Sequence, residues 1–401
     1  MRRLPRLPRV PVPAAVRRAW AVVRPGGRAV LALAVLAYLV AVPTGWQEAA
    51  VVATTCLLVL ALAVPFTLGR TDAFVEVEVS RPQVRVGERV FATLVVGNRR
   101  RRRLLPFCIE LPVGRARQPF GIKTLGPQES VELAMTIPTS RRGIIVVGPA
   151  AAVREDPMGL LRRSAVTGGY REIVVYPDTV ALGRTGSGFL RDLEGQSTRN
   201  LSMSDLAFHT LRDYVPGDDH RHIHWRSSAR LQRLVVRQYL DTRRSRVALA
   251  VDADVCHYQD EDAFELAVSI ATSMALRALE ESRDVAVAAG GRLVVAGSRH
   301  QLLDGAARFT LCDGTGGLRD AAALAGRGPD TTVSVLVTGP HVPLADVRAA
   351  GARFPIDAVP LLIRVDPAAP AGLASVGAMR VLTVPRLHAL PRLIASLEIA
   401  A

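Results

Sequence analysis

The residues with the greatest capacity for chemistry crowd into LRDYVPGDDHRHIHWRSSAR, from Leu211 to Arg230. Asp218 and Asp219 are adjacent carboxylates, His220, His222 and His224 alternate behind them, and Trp225 and Arg230 follow. Paired carboxylates beside a histidine could do acid/base work, so a hydrolase or metal-dependent enzyme built on Asp218, Asp219 and His224 is one reading. A strand would put the three histidines on one face; a helix would keep His220 and His224 together at i, i+4, the spacing of a helical metal site. Spacing places no third ligand beside that pair, so a solvated, arginine-flanked patch is the preferred reading. Pro216 fixes φ ahead of Gly217, which is free to take positive φ, so Val215 to Asp218 reads as a turn. Asp218 or Asp219 then stands where it could cap a short helix carrying Arg221, Trp225 and Arg230. Arg212 with Asp218, or Arg230 with Asp219, would form ion pairs that pin the segment to the domain after it.

Several enzyme classes lack their motifs. The chain has no Gly-x-Ser-x-Gly elbow, no His-Glu-x-x-His, no Walker loop and no Gly-x-Gly-x-x-Gly after a strand. Its formal charge of +15 is almost wholly arginine, since Lys123 is the sole lysine. Eight arginines precede residue 29 without an acid, so part of the imbalance belongs to one tail. Net charge without interleaved aromatics is no nucleic-acid signature, and no nucleic acid is expected as a partner. Cys56, Cys108, Cys256 and Cys312 are far apart with no Cys-x-x-Cys spacing, which signals neither zinc nor a disulfide framework.

The elements around these residues divide the chain. A basic tail, residues 1–28, is expected in the cytoplasm. Residues 29–68 hold two apolar runs, AVLALAVLAYLVAVPTGW and AAVVATTCLLVLALAVPFTL, separated by Gln47-Glu48. Each approaches the ~20 residues that cross a bilayer, so the pair reads as a transmembrane hairpin rather than a cleaved signal. Arginines crowd the N-terminal flank and recur at Arg70, Arg81 and Arg85, while the turn TGWQE carries none, so both ends should face the cytoplasm.

Residues 71–180 alternate apolar and polar positions in short runs. Phe74–Val79, Val90–Val96, Cys108–Leu111, Ser130–Ile137, Gly143–Val147 and Ile173–Tyr176, with turns between, imply a small antiparallel β-sandwich. The run Arg99 to Arg103 should lie in a loop, solvated or touching anionic lipid headgroups. After the motif segment, 197–240, residues 245–401 alternate strands and helices. Apolar runs at Arg246–Asp252, Val285–Ala288, Leu293–Ala296, Val333–Val337 and Ala358–Ile363, with helices over Glu261–Glu281, Leu344–Ala350 and Pro385–Ile399, imply a doubly wound α/β domain.

Arg212, Tyr214, Gly217, Asp218, Arg221, Ile223, Trp225, Ser228, Ala229 and Arg230 follow in the order Arg-x-Tyr-x-x-Gly-Asp, then Ile-x-Trp, then Ser-Ala-Arg. In this the chain resembles the bacterial domain-of-unknown-function 58 family. The resemblance implies paired N-terminal spans in the bacterial plasma membrane, a β-rich region and a von Willebrand factor A-like α/β domain. It also implies partnership with a MoxR-type AAA ATPase in the assembly or maturation of protein complexes.

Modules of that type that bind Mg²⁺ carry Asp-x-Ser-x-Ser, a later threonine and a later aspartate. Here the first motif is Asp252-Ala253-Asp254-Val255-Cys256, Thr315 stands where the threonine would, and Thr338-Gly339-Pro340 lacks the acid. Asp252, Asp254 and Thr315 are thus a degenerate Mg²⁺ site, and no other cofactor is implied. For Asp252 a helix N-terminus, or a salt bridge to an arginine of the motif segment, is preferred to a metal. The expectation is a membrane-anchored, non-enzymatic interaction module whose partners are a protein and membrane lipid.

Overall fold

The computed structural model describes residues 20, 22–68, 73–183, 207–216, 218–240, 246–328, 331–356, 358–377 and 379–399. These divide into two compact units, one of residues 1–139 and 144–174, the other of 140–143 and 175–401. Most of the basic tail and the segment 184–206 lie outside the described residues.

The first unit opens with helices α1 (Pro25–Thr44) and α2 (Gln47–Thr67), of 20 and 21 residues. At 1.5 Å per residue each is about 30 Å long, and both are apolar enough to cross a membrane. Pro25 starts α1 where its missing N–H costs nothing, and Gly45, at φ 65°, ends it in the left-handed region that glycine favours. The helix begins four residues before the apolar run at Ala29, with Pro25, whose φ is already helical, at its first position.

Strands β1 (Phe74–Val79), β2 (Gln83–Arg85), β3 (Val90–Gly97), β4 (Phe107–Val113), β5 (Ala116–Ile122), β6 (Ser130–Ile137), β7 (Gly143–Val147), β8 (Ala150–Glu155), β9 (Arg162–Thr167) and β10 (Arg171–Tyr176) follow. They make two sheets, one in the order β1-β3-β6 and one in the order β2-β10-β7-β4-β8-β9 with β5 also on β4. β3 is antiparallel to β1 and β6, and β4 to β5, β7 and β8. β1 buries Val75 and Val77 while Glu76 and Glu78 face out, the period-two pattern read from the sequence. β2, β5, β8 and β9 carried no such signal: β5 (ARQPFGI) and β9 (RRSAVT) are polar and mostly exposed, and β8 (AAAVRE) has burial on consecutive residues.

The second unit contains an antiparallel ribbon, β11 (Ala207–Asp213) with β12 (Val235–Leu240), and between them the short helix α3 (Trp225–Leu231). Its sheet runs through β13 (Arg246–Val251), β14 (Asp284–Ala289), β15 (Arg292–Ala296), β16 (Thr331–Thr338), β17 (Val359–Val365), β18 (Gly372–Val376) and β19 (Met379–Val384) in the order β15-β14-β13-β16-β17-β19-β18. β14, β13, β16, β17 and β19 are parallel, and β15 and β18 are antiparallel edges. Helices α4 (Glu261–Glu280), α5 (Arg299–Ala306), α6 (Leu318–Ala325), α7 (Leu344–Gly351) and α8 (Leu390–Ile399) connect or flank these strands.

Every residue from Val247 to Val251 is 1% exposed or less, so both faces of β13 are covered. α6 packs against β13 and α7 against α6 and β16, in one core with Ala248 and Ala250, and α4 also packs against β13 and β14. The strand order reverses at β13 and β16, the switch point at whose carboxyl ends open α/β sheets place their ligands. α8 starts at Leu390 rather than Pro385, because residues 387–389 form a 3-10 turn first. α5, α6, β18 and β19 were not anticipated from the sequence.

Arg142 is a polar anchor of this unit. Its side chain is 2% exposed and donates to Glu265 of α4 at 3.0 Å and to the carbonyls of Phe309 (2.8 Å) and Ala306 (3.3 Å). The guanidinium also lies 5.0 Å from the Phe264 ring centroid. Burial is the main reason the Glu265 carboxyl titrates above its ordinary range, with Arg142 opposing the shift.

Candidate functional site

The motif residues occupy the excursion between β11 and β12. Arg212, near the end of β11, grips Asp218 bidentately, with Nη2 to Oδ1 at 2.6 Å and Nη1 to Oδ2 at 2.8 Å. The Val215 N–H donates to the same carboxylate at 3.0 Å, so the turn is closed on its own aspartate. The guanidinium of Arg212, followed by that N–H, holds the Asp218 carboxyl below its usual range, where it is a poor base. Gly217 falls outside the described residues. The Tyr214 hydroxyl meets His220 Nε2 at 3.2 Å, the two rings 5.6 Å apart.

The expectation of one aspartate-capped helix through Arg221, Trp225 and Arg230 needs correction. Asp219 caps only a 3-10 turn, His220 to His222, by accepting from the Arg221 N–H at 2.9 Å. Ile223 is extended, and α3 starts afresh with His224 as its cap, Nδ1 accepting from the Ser227 N–H at 3.2 Å. His220 and His224 therefore do not share a helix. Among the described residues no group of three His, Cys, Asp or Glu side chains is placed to hold a metal. Nor is Arg230 paired with Asp219 among those residues. The ion pair that does form, Arg212 with Asp218, is local to the segment.

Ser228 locks α3 to the ribbon: its hydroxyl donates to the His224 carbonyl at 3.1 Å and accepts from the Val235 N–H at 3.0 Å. His224 N–H reaches the Val235 carbonyl at 2.9 Å, and Ile223, Val235 and Val236 are buried at 4% or less. On this support Trp225 stands 65% exposed, with Arg221, Arg226 and Arg230 exposed around it in sequence. The side chains read as candidate catalytic groups, Asp218, Asp219 and His224, are each occupied in holding backbone.

A second cluster lies at the carboxyl end of β13. Asp252 is fully buried; its Oδ1 accepts from the Asp254 N–H at 3.1 Å, and its Oδ2 from the Thr338 hydroxyl at 2.7 Å. His257 Nδ1 is 2.7 Å from that same Oδ2, and the Tyr258 hydroxyl donates to the Asp252 carbonyl at 2.7 Å. Asp254 caps the next turn through the Cys256 N–H at 3.0 Å, and Thr315 is exposed. The donors on Asp252 come from its own loop and from β16; of the two expected alternatives, a helix N-terminus or an arginine of the motif segment, the arginine is not among its partners in the described residues. Burial, opposed by those donors, raises the Asp252 carboxyl above its ordinary range.

Thr338 and His257 were missed as partners of Asp252. The signal was available in principle, because Thr338 ends β16, in register one place after Val337, which faces Val251. Gly339 is required beside them: a Cβ there would lie 1.9 Å from the His257 carbonyl oxygen.

These features define a multidomain chain with two membrane-length helices, two β-sheets built largely of antiparallel pairs, an ion-paired ribbon and an open, mainly parallel α/β sheet. Residues 210–296, from the ribbon through β15, match the family model described as Protein of unknown function DUF58. No curated protein matches the chain. Among solved structures, the CARDB domain of a Pyrococcus furiosus protein is 14% identical, covering 26% of this chain and 92% of its own, at a TM-score of 0.21. A Pseudomonas fluorescens alkylpurine DNA glycosylase is 15% identical over 34% of this chain and 43% of its own, also at 0.21. The sporulation control protein of Bacillus subtilis is 17% identical over 27% and 50%, at 0.16. Likeness at such scores carries no argument about function.

Proposed function

We propose that the chain is a membrane-anchored, non-enzymatic protein-interaction module, and that the ribbon and α3 are the surface it shows to its partner. The observation that carries this reading is Trp225, 65% exposed on a helix held to β12 through His224 and Ser228 and flanked in sequence by exposed arginines. Tryptophan and arginine dominate the residues that supply binding energy at interfaces, and a pre-set backbone lowers the entropy lost on docking.

In this reading α1 and α2 cross the plasma membrane as a pair, with the residues after α2 on the cytoplasmic side. Trp20 and Trp46, 47% and 56% exposed, bracket α1 as interfacial aromatics do, and the arginine bias of the flanks sets the orientation. The two largely antiparallel sheets form a sandwich, and the α/β unit is of von Willebrand factor A type, an assignment its strand order supports. The partner is a MoxR-type AAA ATPase, on the strength of the motif Arg212 to Arg230, and the role is assembly or maturation of protein complexes.

The test is binding of the full chain, in detergent, to a purified MoxR-type ATPase with and without a non-hydrolysable ATP analogue. Trp225→Ala should weaken binding roughly thirtyfold, the effect of losing a hot spot of about 2 kcal/mol, with the fold unchanged because the ring is exposed. Unchanged affinity in Trp225→Ala and Arg230→Ala would refute the surface. A hydrolytic activity abolished by Asp218→Asn would refute the non-enzymatic reading.

A further inference from the structure

The interaction reading makes no use of Arg99 to Arg103, yet the first unit gives that run a defined place. It fills the loop between β3 and β4. Asn98, 1% exposed, builds the loop from within: its amide donates to the carbonyls of Arg102 and Gly126, both at 2.8 Å, and its Oδ1 accepts from the Arg100 N–H at 3.0 Å. The far end is held by Arg154, 4% exposed, whose guanidinium donates to the Leu105 carbonyl at 3.0 Å and to the Leu68 carbonyl at 2.7 Å. Leu68 is the residue that ends α2. One buried guanidinium therefore ties the exit of the second membrane-length helix to the backbone just past the arginine run. Arg99 is anchored as well, its guanidinium 3.6 Å from the ring centroid of Phe74, where β1 begins.

All five arginines are exposed, and Arg101, Arg102 and Arg103 have no acidic partner among the described residues. Leu105, 56% exposed, adds an apolar side chain at the end of the run.

We infer that this loop is a headgroup-binding platform, in which Arg101, Arg102 and Arg103 take the phosphates of anionic phospholipids in the leaflet from which α2 emerges. The inference rests on the reading of α1 and α2 as membrane spans. Guanidinium forks match phosphate oxygens, and the negative potential of an anionic leaflet acts within about a Debye length of its surface. The Arg154 clamp keeps the loop at the helix exit, so lipid phosphates are present at an effective concentration that a dissolved phosphate ligand does not match. Because Asn98 fixes the loop already, little backbone entropy remains to be lost on contact.

The test uses the full chain in nanodiscs of phosphatidylcholine alone or of phosphatidylcholine mixed with phosphatidylglycerol. Amide exchange across residues 98–105 should slow at least about fivefold in the anionic discs, the effect of one surface arginine, and the difference should vanish at high salt. Arg101→Gln with Arg102→Gln and Arg103→Gln should remove the lipid dependence while β3 and β6 exchange as before; the corresponding triple lysine variant should keep most of it. The wild-type comparison of the two lipids decides by itself if the glutamine variant loosens those strands. Equal exchange in both discs, or lipid dependence persisting in the glutamine variant, overturns the inference. So does a single-stranded oligonucleotide that protects the loop in phosphatidylcholine discs as well as phosphatidylglycerol does. A chain that fails to enter discs overturns the membrane reading and this inference with it; a chain that enters them with a lipid-indifferent loop overturns the inference alone.

Discussion

Replacing Arg142 with methionine keeps an unbranched side chain of similar reach but removes every polar contact it makes. The Phe309 and Ala306 carbonyls lose donors at 2.8 and 3.3 Å, and Glu265 loses a guanidinium at 3.0 Å. Breaking a buried charge pair by deleting one partner costs about 3–5 kcal/mol. Glu265 is 30% exposed, so water relieves part of the stranded charge and the lower end, ~3 kcal/mol, is the expected value. Native-state amide exchange at Leu249 and Val287, in the central strands β13 and β14, reads global opening of the second unit. Their protection should fall about a hundredfold, since 1.4 kcal/mol is tenfold. Adding Glu265→Gln should recover part of the loss, because the second substitution removes the unpaired carboxylate, and the cycle isolates the pair's coupling. A change below about threefold at both amides would refute the claim that Arg142 anchors the unit, because the loss of a single ordinary hydrogen bond already exceeds it.

Three further outcomes follow from the same geometry. Because burial raises the Glu265 carboxyl in the folded state, its contribution to stability is fully present below the unfolded value and is lost as pH rises through the folded value. Glu265→Gln should flatten that decline in a pH series of urea midpoints, and an unchanged slope would contradict it. Ser228→Ala leaves the His224 carbonyl and the Val235 N–H without their shared partner and should cost ~1–3 kcal/mol, visible as faster exchange at Val235. Gly339→Ala drives a Cβ onto the His257 carbonyl and should destabilise the unit by about 1–3 kcal/mol, as overpacking does, and loosen the His257 contact to Asp252; a thermal midpoint equal to wild type would deny the close approach.

The legible part of this protein was whatever repeats with a period or stands in an apolar run. α1 and α2 are continuous stretches of hydropathy, and β1 alternates at period two. β13 is an apolar run ending in Asp252, and α4 is a long pattern behind an Asp260 cap that accepts from the Ala263 N–H at 2.7 Å. Local chemistry was legible in the motif as well: Arg212 and Asp218 are six residues apart, within reach once the turn at Pro216 closes. What failed there was continuity. A single helix was expected across His220 to Arg230, but Ile223 turns extended so that it can bridge to Val236 of β12, a residue it meets only because β11 and β12 pair.

Polar strands such as β5 and β9 were hidden for the same reason, since pairing with β4 and β8, not burial of their own side chains, makes them strands. Contacts between distant positions lay beyond any pattern. Thr338 reaches Asp252 only when β16 lies beside β13, Arg142 reaches Phe309 across 167 residues, and Arg154 joins Leu105 to Leu68. Periodicity and turn chemistry act over a few residues and are written in the sequence. The partners of a buried charge depend on which strands become neighbours, and only the tertiary structure decides that.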